Sequence, residues 1–213
     1  MKVNKKEILR YLGYGKNIAD ETVNNIIDEC LKDLKNYSDM KSIYKYFPLE
    51  IKDENIKLGN ICVKSQNLKK NLLGCNEVVI FAATLGARVD LLIKRYSKMA
   101  MSRAVILQAA AAAYIEEYCD LCQNKIIAEN EKRNLFIRPR FSPGYGDFSI
   151  EHQKDIISIL DCPRKIGLTL TDSLILVPSK SVTAVMGVSP ISQKCHIKGC
   201  EECSKFDCNF RRS

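Results

Sequence analysis

The 213-residue chain contains no tryptophan, so any stacking against a flat ligand must come from tyrosine or phenylalanine. It has no long hydrophobic run. The longest, Val78 to Ala87, is interrupted by Thr84 and is far too short to cross a membrane. The N-terminal stretch MKVNKKEILRYLGYG is basic but lacks an apolar core and a cleavage site, so it does not read as a signal peptide, and a cytoplasmic location is expected. No long basic run and no nucleic-acid module pattern is present. The formal charge of +8 is scattered in pairs such as Lys5-Lys6, Lys69-Lys70 and Arg211-Arg212. It reads mainly as a solvated face, and an acidic protein partner fits it better than DNA. The dinucleotide fingerprint G-x-G-x-x-G is absent, since Gly13-Tyr14-Gly15 is too little of it. There is no internal repeat.

What is present is ordinary for a globular chain. Hydrophobic residues make up 46% and charged residues 27%, enough for a real core in one large domain, or one domain with an appendage. Residues 1 to 37 read as helical, with Val23, Ile26, Ile27, Cys30, Leu31 and Leu34 forming a stripe of spacing three and four. Pro48 marks a break. Ile56, Leu58 and Ile61 supply a short strand, and Leu68 to Leu73 a helical turn closed by Gly74. Val78 to Ala83 is a continuous apolar run suited to a buried strand. Glycine and proline are then absent from Ala87 to Lys132. A helix carrying Val89, Leu92, Ile93 and Tyr96 fits there, followed by a longer one from Ser102 to about Arg133, small and apolar over Ala109 to Ala113. Leu135 to Phe141 reads as a strand. A helix N-capped by Ser149 follows, ended by Pro163. Ile166 to Thr171, Leu174 to Val177 and Val182 to Val188 read as strands. Helices first and strands later, with few crossovers, predict an α+β fold.

The segment where the Leu135 to Phe141 strand leads to the helix capped by Ser149, Arg140-Phe141-Ser142-Pro143-Gly144-Tyr145-Gly146-Asp147, concentrates ligand-binding chemistry. Arg140 offers a planar cationic fork for a carboxylate. Pro143 stiffens the turn, and Gly144 lets backbone approach a ligand. Tyr145 can lie against an adenine or a sulfonium. Asp147 can accept from ribose hydroxyls or an ammonium. The same residues also satisfy a plain proline-glycine turn between a strand and a helix.

Arg140-x-x-x-Gly144-Tyr145 resembles the R-x-x-x-G-Y motif of the activation domain of cobalamin-dependent methionine synthase. The stretch from Leu170 to Val182, with Thr171-Asp172-Ser173 and Pro178-Ser179-Lys180-Ser181, resembles the same domain's second signature, which ends here in Val188-Ser189-Pro190. The two motifs stand in the family's order and cover roughly Arg138 to Pro190. The resemblance implies a twisted antiparallel sheet flanked by helices. It implies an S-adenosylmethionine site in which Arg140 holds the ligand carboxylate and Pro143, Gly144, Tyr145 and Asp147 line the pocket. The hairpin from Ser173 through Lys180 and Ser181 would form the opposite wall. The implied function is reductive reactivation: cob(II)alamin takes an electron from a flavodoxin- or ferredoxin-type donor, an acidic protein, and S-adenosylmethionine then methylates cob(I)alamin. That chemistry is mostly positioning and needs no side-chain base, so the presence of only His152 and His196 does not count against it. Neither histidine sits in the D-x-H-x-x-G pattern that holds cobalamin in the family's full enzyme. The chain is therefore expected to act on cobalamin carried by a partner, a methionine synthase or another corrinoid protein, with methyltransferase activity only in that company. No nucleic-acid or membrane partner is implied.

The ten cysteines divide into three sets. Cys30, Cys62, Cys75 and Cys162 are dispersed and read as small buried hydrophobes or inert thiols. Cys119 and Cys122 share a helix face and read first as core residues, with a redox or ligand pair as the other reading. The tail carries Cys195-x4-Cys200-x2-Cys203-x4-Cys208, which suggests a metal site, with zinc and an iron–sulfur cluster both open. The expected organisation is a domain over 1–190, helical over 1–133 and motif-bearing over 134–190, followed by a cysteine-rich tail over 191–213. Two rival functions remain open at this point: an iron–sulfur electron carrier to corrinoid proteins, and a zinc-stabilised interaction module.

Overall fold

The computed structural model describes residues 1–192 except positions 2 and 16. Its frame is a six-stranded antiparallel sheet in the order β3-β2-β1-β4-β8-β5, with a small separate hairpin, β6-β7. The strands are β1 (Lys41–Lys52), β2 (Asn55–Leu58), β3 (Ile61–Lys64), β4 (Glu77–Thr84), β5 (Phe136–Ile137), β6 (Thr169–Leu170), β7 (Leu176–Val177) and β8 (Ser181–Ser189). The helices are α1 (Lys5–Tyr11), α2 (Glu21–Tyr37), α3 (Gln66–Asn71), α4 (Ala87–Met99), α5 (Met101–Glu131), α6 (His152–Leu160) and α7 (Cys162–Ile166). This is the α+β architecture the residue pattern predicts. Among the described residues, no helix is long and apolar enough to cross a membrane.

Helices cover both faces of the sheet, which explains why β4 is apolar without alternation. Val79, Phe81 and Ala83 point into a core shared with α1, α2, α4 and α5. Val78, Ile80 and Ala82 point into a second core with α3, α6 and α7. A strand buried on both faces gains nothing from polar residues at every second position. β8 pairs with β4 along its whole length, from Ser181↔Thr84 to Val188↔Glu77, and is buried with it. Gly187 is forced by packing, since a Cβ there would meet Cys75 Sγ at 2.5 Å and Leu72 Cδ2 at 2.9 Å.

The 31-residue helix α5 is the spine of the first core. Ala109, Ala110, Ala111 and Ala113 are buried on it. Their small side chains let a long helix lie close to the sheet and to α1, α2 and α4 at once. Cys119 and Cys122 belong to this core, and Cys122 Sγ lies 3.4 Å from Ser42 Oγ. Cys30 and Cys162 are likewise buried, but Cys62 is exposed, because it occupies an outward position on the edge strand β3.

Several boundaries differ from the sequence reading. Pro48 lies inside β1 and breaks nothing. It sits where the strand changes partner, from β4 (Lys41 to Pro48) to β2 (Leu49 to Lys52). A missing N–H is tolerated at such a switch. The N-terminal helical region is two helices; the second starts where the sequence has Asp20-Glu21, with the Asp20 carboxylate accepting from Val23 N at 2.8 Å. Helix α6 starts three residues after Ser149, with Glu151 in the N-cap position. It ends at Asp161, which takes a left-handed turn with φ 55°, and Pro163 opens α7 instead of closing α6. The strand expected over Leu135 to Phe141 pairs with β8 at Phe136–Ile137, with Arg138 N donating to the Gly187 carbonyl at 2.8 Å, and again at Phe141 beyond Pro139.

Candidate functional site

Phe141 exchanges both backbone hydrogen bonds with Val185 of β8, each 2.9 Å. That bridge turns neighbouring side chains to opposite faces of the sheet. Phe141 packs into the α3/α6/α7 core, stacked on Phe148 with ring centroids 6.2 Å apart. Arg140 turns the other way, onto α5. Its Nη1 donates to Gln123 Oε1 at 2.6 Å, and its Nη2 donates to Asp120 Oδ1 at 2.6 Å and Glu116 Oε2 at 3.3 Å. Glu116, Asp120 and Gln123 lie on one stripe of α5, at spacing four and three. Burial works against the Arg140 charge, but the hydrogen bond to Asp120 and the two carboxylates outweigh it and hold the guanidinium pKa above its ordinary value. The result is a half-buried zone in which a fixed cation and two partly exposed carboxylates stand side by side.

The loop then folds back on itself. Gly144 adopts φ +92° and donates its N–H to the Phe148 carbonyl at 2.7 Å. That conformation favours glycine. Pro143 is buried beneath the turn, whereas Tyr145 is 69% exposed and offers a free ring beside it. Asp147 faces away from Arg140. Its carboxylate accepts from Ser65 Oγ at 2.5 Å, Gln66 N at 2.6 Å and Asn67 N at 3.1 Å, so it ties the loop to the start of α3. The Ser65 hydroxyl, with the two backbone N–H groups, holds the Asp147 carboxyl below the usual carboxylate range. A ligand reaching Asp147 would have to compete with three protein donors.

The second motif forms the β6-β7 hairpin and its exit into β8. Thr171 N donates to the Ile175 carbonyl at 2.9 Å, and Ile175 N donates to Thr171 Oγ1 at 3.1 Å. Ser173 Oγ lies 2.9 Å from the same Thr171 hydroxyl at the exposed tip. Leu174 is held there at φ +64°, a conformation costly for a branched side chain. Ser179 donates both its N–H and its hydroxyl to Asp90 of α4, each at 2.7 Å. Ser181 Oγ donates to the Pro178 carbonyl at 2.7 Å and lies 2.8 Å from Thr84 Oγ1. Burial pushes the Lys180 ammonium pKa down, and Asp90 offsets part of that.

Both motifs are therefore anchored on β8. The first bridges it at Val185 and the second enters it at Ser181, ~13 Å away along the strand. Arg140 faces α5, whereas Gly144 packs against Ile150 and Gly146 against Asn67 of α3, with the exposed Tyr145 between them in the chain. Ser173, Lys180 and Ser181 lie toward the Ser181 end, and Asp147 belongs to the α3 side. Residue patterns alone did not point to Glu116, Asp120 and Gln123. Their signal was a polar stripe on an otherwise apolar helix, directly beyond Ala109 to Ala113. Cys195, Cys200, Cys203 and Cys208 lie outside the described residues. Among the described residues no group of three or more histidine, cysteine or acidic side chains is placed to hold a metal.

The family model described as "Vitamin B12 dependent methionine synthase, activation domain" matches residues 50–209. That range extends beyond the two motifs in both directions and takes in the four tail cysteines. A comparison with curated protein sequences gave no match. Among solved structures, the chain is similar to one titled "Crystal Structure of the MetH Reactivation Domain bound to AdoHcy". The TM-score is 0.60 at 14% identity, over 91% of this chain and 78% of that one. At that identity the likeness is one of fold.

Proposed function

Because the chain belongs to the vitamin B12-dependent methionine synthase activation domain family, we propose that it binds S-adenosylmethionine and serves the reductive reactivation of a cobalamin-dependent methionine synthase or a related corrinoid protein. The observation that carries this reading is the Arg140 guanidinium set against Glu116 and Asp120, in the same motif as the exposed ring of Tyr145. The amino-acid end of S-adenosylmethionine carries one carboxylate and one ammonium. Arg140 is a fork for the first, and the α5 carboxylates are acceptors for the second. The sulfonium cation favours the same acidic neighbourhood. Tyr145 supplies the flat surface that an adenine needs in a protein without tryptophan.

The described residues of this site hold and orient the ligand, and the chemistry asks no side-chain base of them. S-adenosylmethionine would supply a sulfonium methyl, and the nucleophile would be the reduced corrinoid of a partner. Arg140 and the α5 carboxylates would fix one end of the ligand, so that its methyl group points out of the shallow site toward that partner. Neither His152 nor His196 stands in a D-x-H-x-x-G pattern. His152 is instead engaged with Asp155 at 2.8 Å and packs near Phe148. In this reading cobalamin is carried by a corrinoid partner.

Two measurements test the proposal. Calorimetric titration with S-adenosylmethionine should show saturable binding by the full chain. Adding the chain, a reductant and S-adenosylmethionine to a methionine synthase trapped as cob(II)alamin should restore methylcobalamin. Binding without restoration would overturn the reactivation role, and absence of binding would overturn the site.

A further inference from the structure

A guanidinium grips a carboxylate bidentately along one of two edges, Nε with Nη2 or Nη1 with Nη2. Both edges use Nη2, and in Arg140 that nitrogen is already taken. It donates to Asp120 Oδ1 at 2.6 Å and to Glu116 Oε2 at 3.3 Å, while Nη1 donates to Gln123 Oε1 at 2.6 Å. Nη2 carries two hydrogens, so two acceptors exhaust it. A ligand carboxylate therefore gains the fork only by taking the place of a carboxylate that is already there.

The two resident carboxylates are not equivalent. Asp120 makes the short, charge-assisted contact, so its oxygen stands where a ligand oxygen would have to sit. Its side chain is 61% exposed, against 39% for Glu116. Asp120 can turn into water with little change in its hydration, and an ion pair that exposed holds it only weakly. Glu116, at the longer distance, can stay in place beside an arriving ligand. The exchange also keeps Arg140 compensated throughout. Its side chain is only 15% exposed, and leaving such a cation without a partner would be the expensive state. One carboxylate leaves as another arrives, and that state is avoided. The released Asp120 remains one helical turn from Glu116, on the stripe that faces the ligand's ammonium.

Given the ligand reading above, on which this rests, we propose that Asp120 is a resident stand-in for the ligand's carboxylate: it closes the Arg140 fork in the free protein and is exchanged out when S-adenosylmethionine binds. The latch sets specificity as well as occupancy. A carboxylate tethered to α5 competes intramolecularly, at an effective concentration that a small free carboxylate does not match. A ligand held also by its ammonium and its ring system does displace it, because those contacts make its own carboxylate a local competitor. An S-adenosylmethionine analogue without the carboxylate binds with Asp120 still on Arg140.

The test is calorimetric titration of the full chain with S-adenosylmethionine and with decarboxylated S-adenosylmethionine. Both ligands carry the ammonium, the sulfonium and the adenosine, so the ratio of their affinities isolates the carboxylate. Asp120→Ala should raise that ratio in favour of S-adenosylmethionine by about fivefold or more. Asp120→Asn removes the charge but keeps an acceptor of the same shape, so it should raise the ratio by less, and it carries the test if the alanine variant unfolds more easily in urea. Glu117→Gln removes a neighbouring α5 charge that forms no ion pair with Arg140, and should leave the ratio within about twofold of the parent. Equal rises in Glu117→Gln and Asp120→Ala would mean general charge repulsion and would overturn the latch. So would a rise confined to Glu116→Gln, which would make Glu116 the displaced group. Binding of both ligands with the ratio unmoved by either Asp120 variant overturns the latch alone. Failure of every chain to bind either ligand overturns the ligand reading itself, and the latch with it.

Discussion

Arg140→Ala is the substitution in which stability and ligand binding can be separated. In the parent, the guanidinium makes three hydrogen bonds to α5. Its side chain is 15% exposed, but Glu116 is 39% and Asp120 61% exposed. Removing the cation therefore leaves two carboxylates that water can reach. The cost should fall between that of a surface ion pair and a buried one, about 1–2 kcal/mol. Urea unfolding reads this as a lower midpoint at unchanged slope. The ligand should lose more. A charge-assisted fork to its carboxylate contributes about 1.5–3 kcal/mol, which is roughly a 10- to 150-fold weaker Kd. Arg140→Lys separates the two effects. It keeps the charge, and with it most of the stability, but replaces the fork by a point charge, so affinity should still fall about tenfold. Glu116→Gln should also weaken binding by removing an acceptor for the ammonium. If Arg140→Ala lost the stability but bound S-adenosylmethionine within about twofold of the parent, Arg140 would be a strut between β8 and α5 and the ligand would sit elsewhere.

Other perturbations test the surrounding structure. Gly187→Ala places a methyl 2.5 Å from Cys75 Sγ, 2.9 Å from Leu72 Cδ2 and 3.0 Å from Arg138 Cγ. It should cost about 1–3 kcal/mol in denaturant unfolding. Asp147→Asn should lower the thermal midpoint at neutral pH. Because the folded carboxyl is depressed below its ordinary 3.8, its contribution is present above that value and lost as pH falls through the folded pKa. The gap between variant and parent should therefore close in acid, and a gap that persists would mean the loss is steric. Burial pushes the Cys30 thiol up to about 11 from 9.0. Between those values the unfolded chain has released a proton that the folded chain keeps, so stability should fall as pH rises through that window, and Cys30→Ala should flatten the slope. In the native protein at neutral pH, a thiol reagent should modify exposed Cys62 well before Cys30 or Cys119.

The legible parts of this fold were those whose signal is local. Val78 to Ala83 announces a buried strand because a continuous apolar run of that length has few other uses. The run without glycine or proline after Gly86 announces two helices, the second expected from Ser102, and the structure sets the break between them at Ala100. Beta structure was harder. β1 is twelve residues long and half-exposed, mixes lysines with aromatics and contains a proline, so nothing in its pattern separates it from a loop. Its identity comes from β4, with which it pairs from Lys41↔Thr84 to Pro48↔Glu77. The β6-β7 hairpin pairs at only two positions, too short for a pattern to delimit.

The candidate site divides in the same way. The residue types in Arg140 to Tyr145 and Ser173 to Ser181 are chemically suggestive as written, and their resemblance to one family holds across residues 50–209. Composition and order alone determined the α+β class, the doubly buried central strand and the positions of both motifs, because these depend on hydrophobic period and on which side chains are available at all. Only the tertiary structure decided what those side chains face. Alternation about the Phe141–Val185 bridge sends Arg140 to α5, where Glu116 and Asp120 wait some twenty residues back in the chain. The glycine-rich turn after it carries Asp147 to the opposite side, onto the start of α3. A sequence records which charges exist, but a pairing across a sheet is set by strand register, and register is a property of the partner strand as much as of the segment itself.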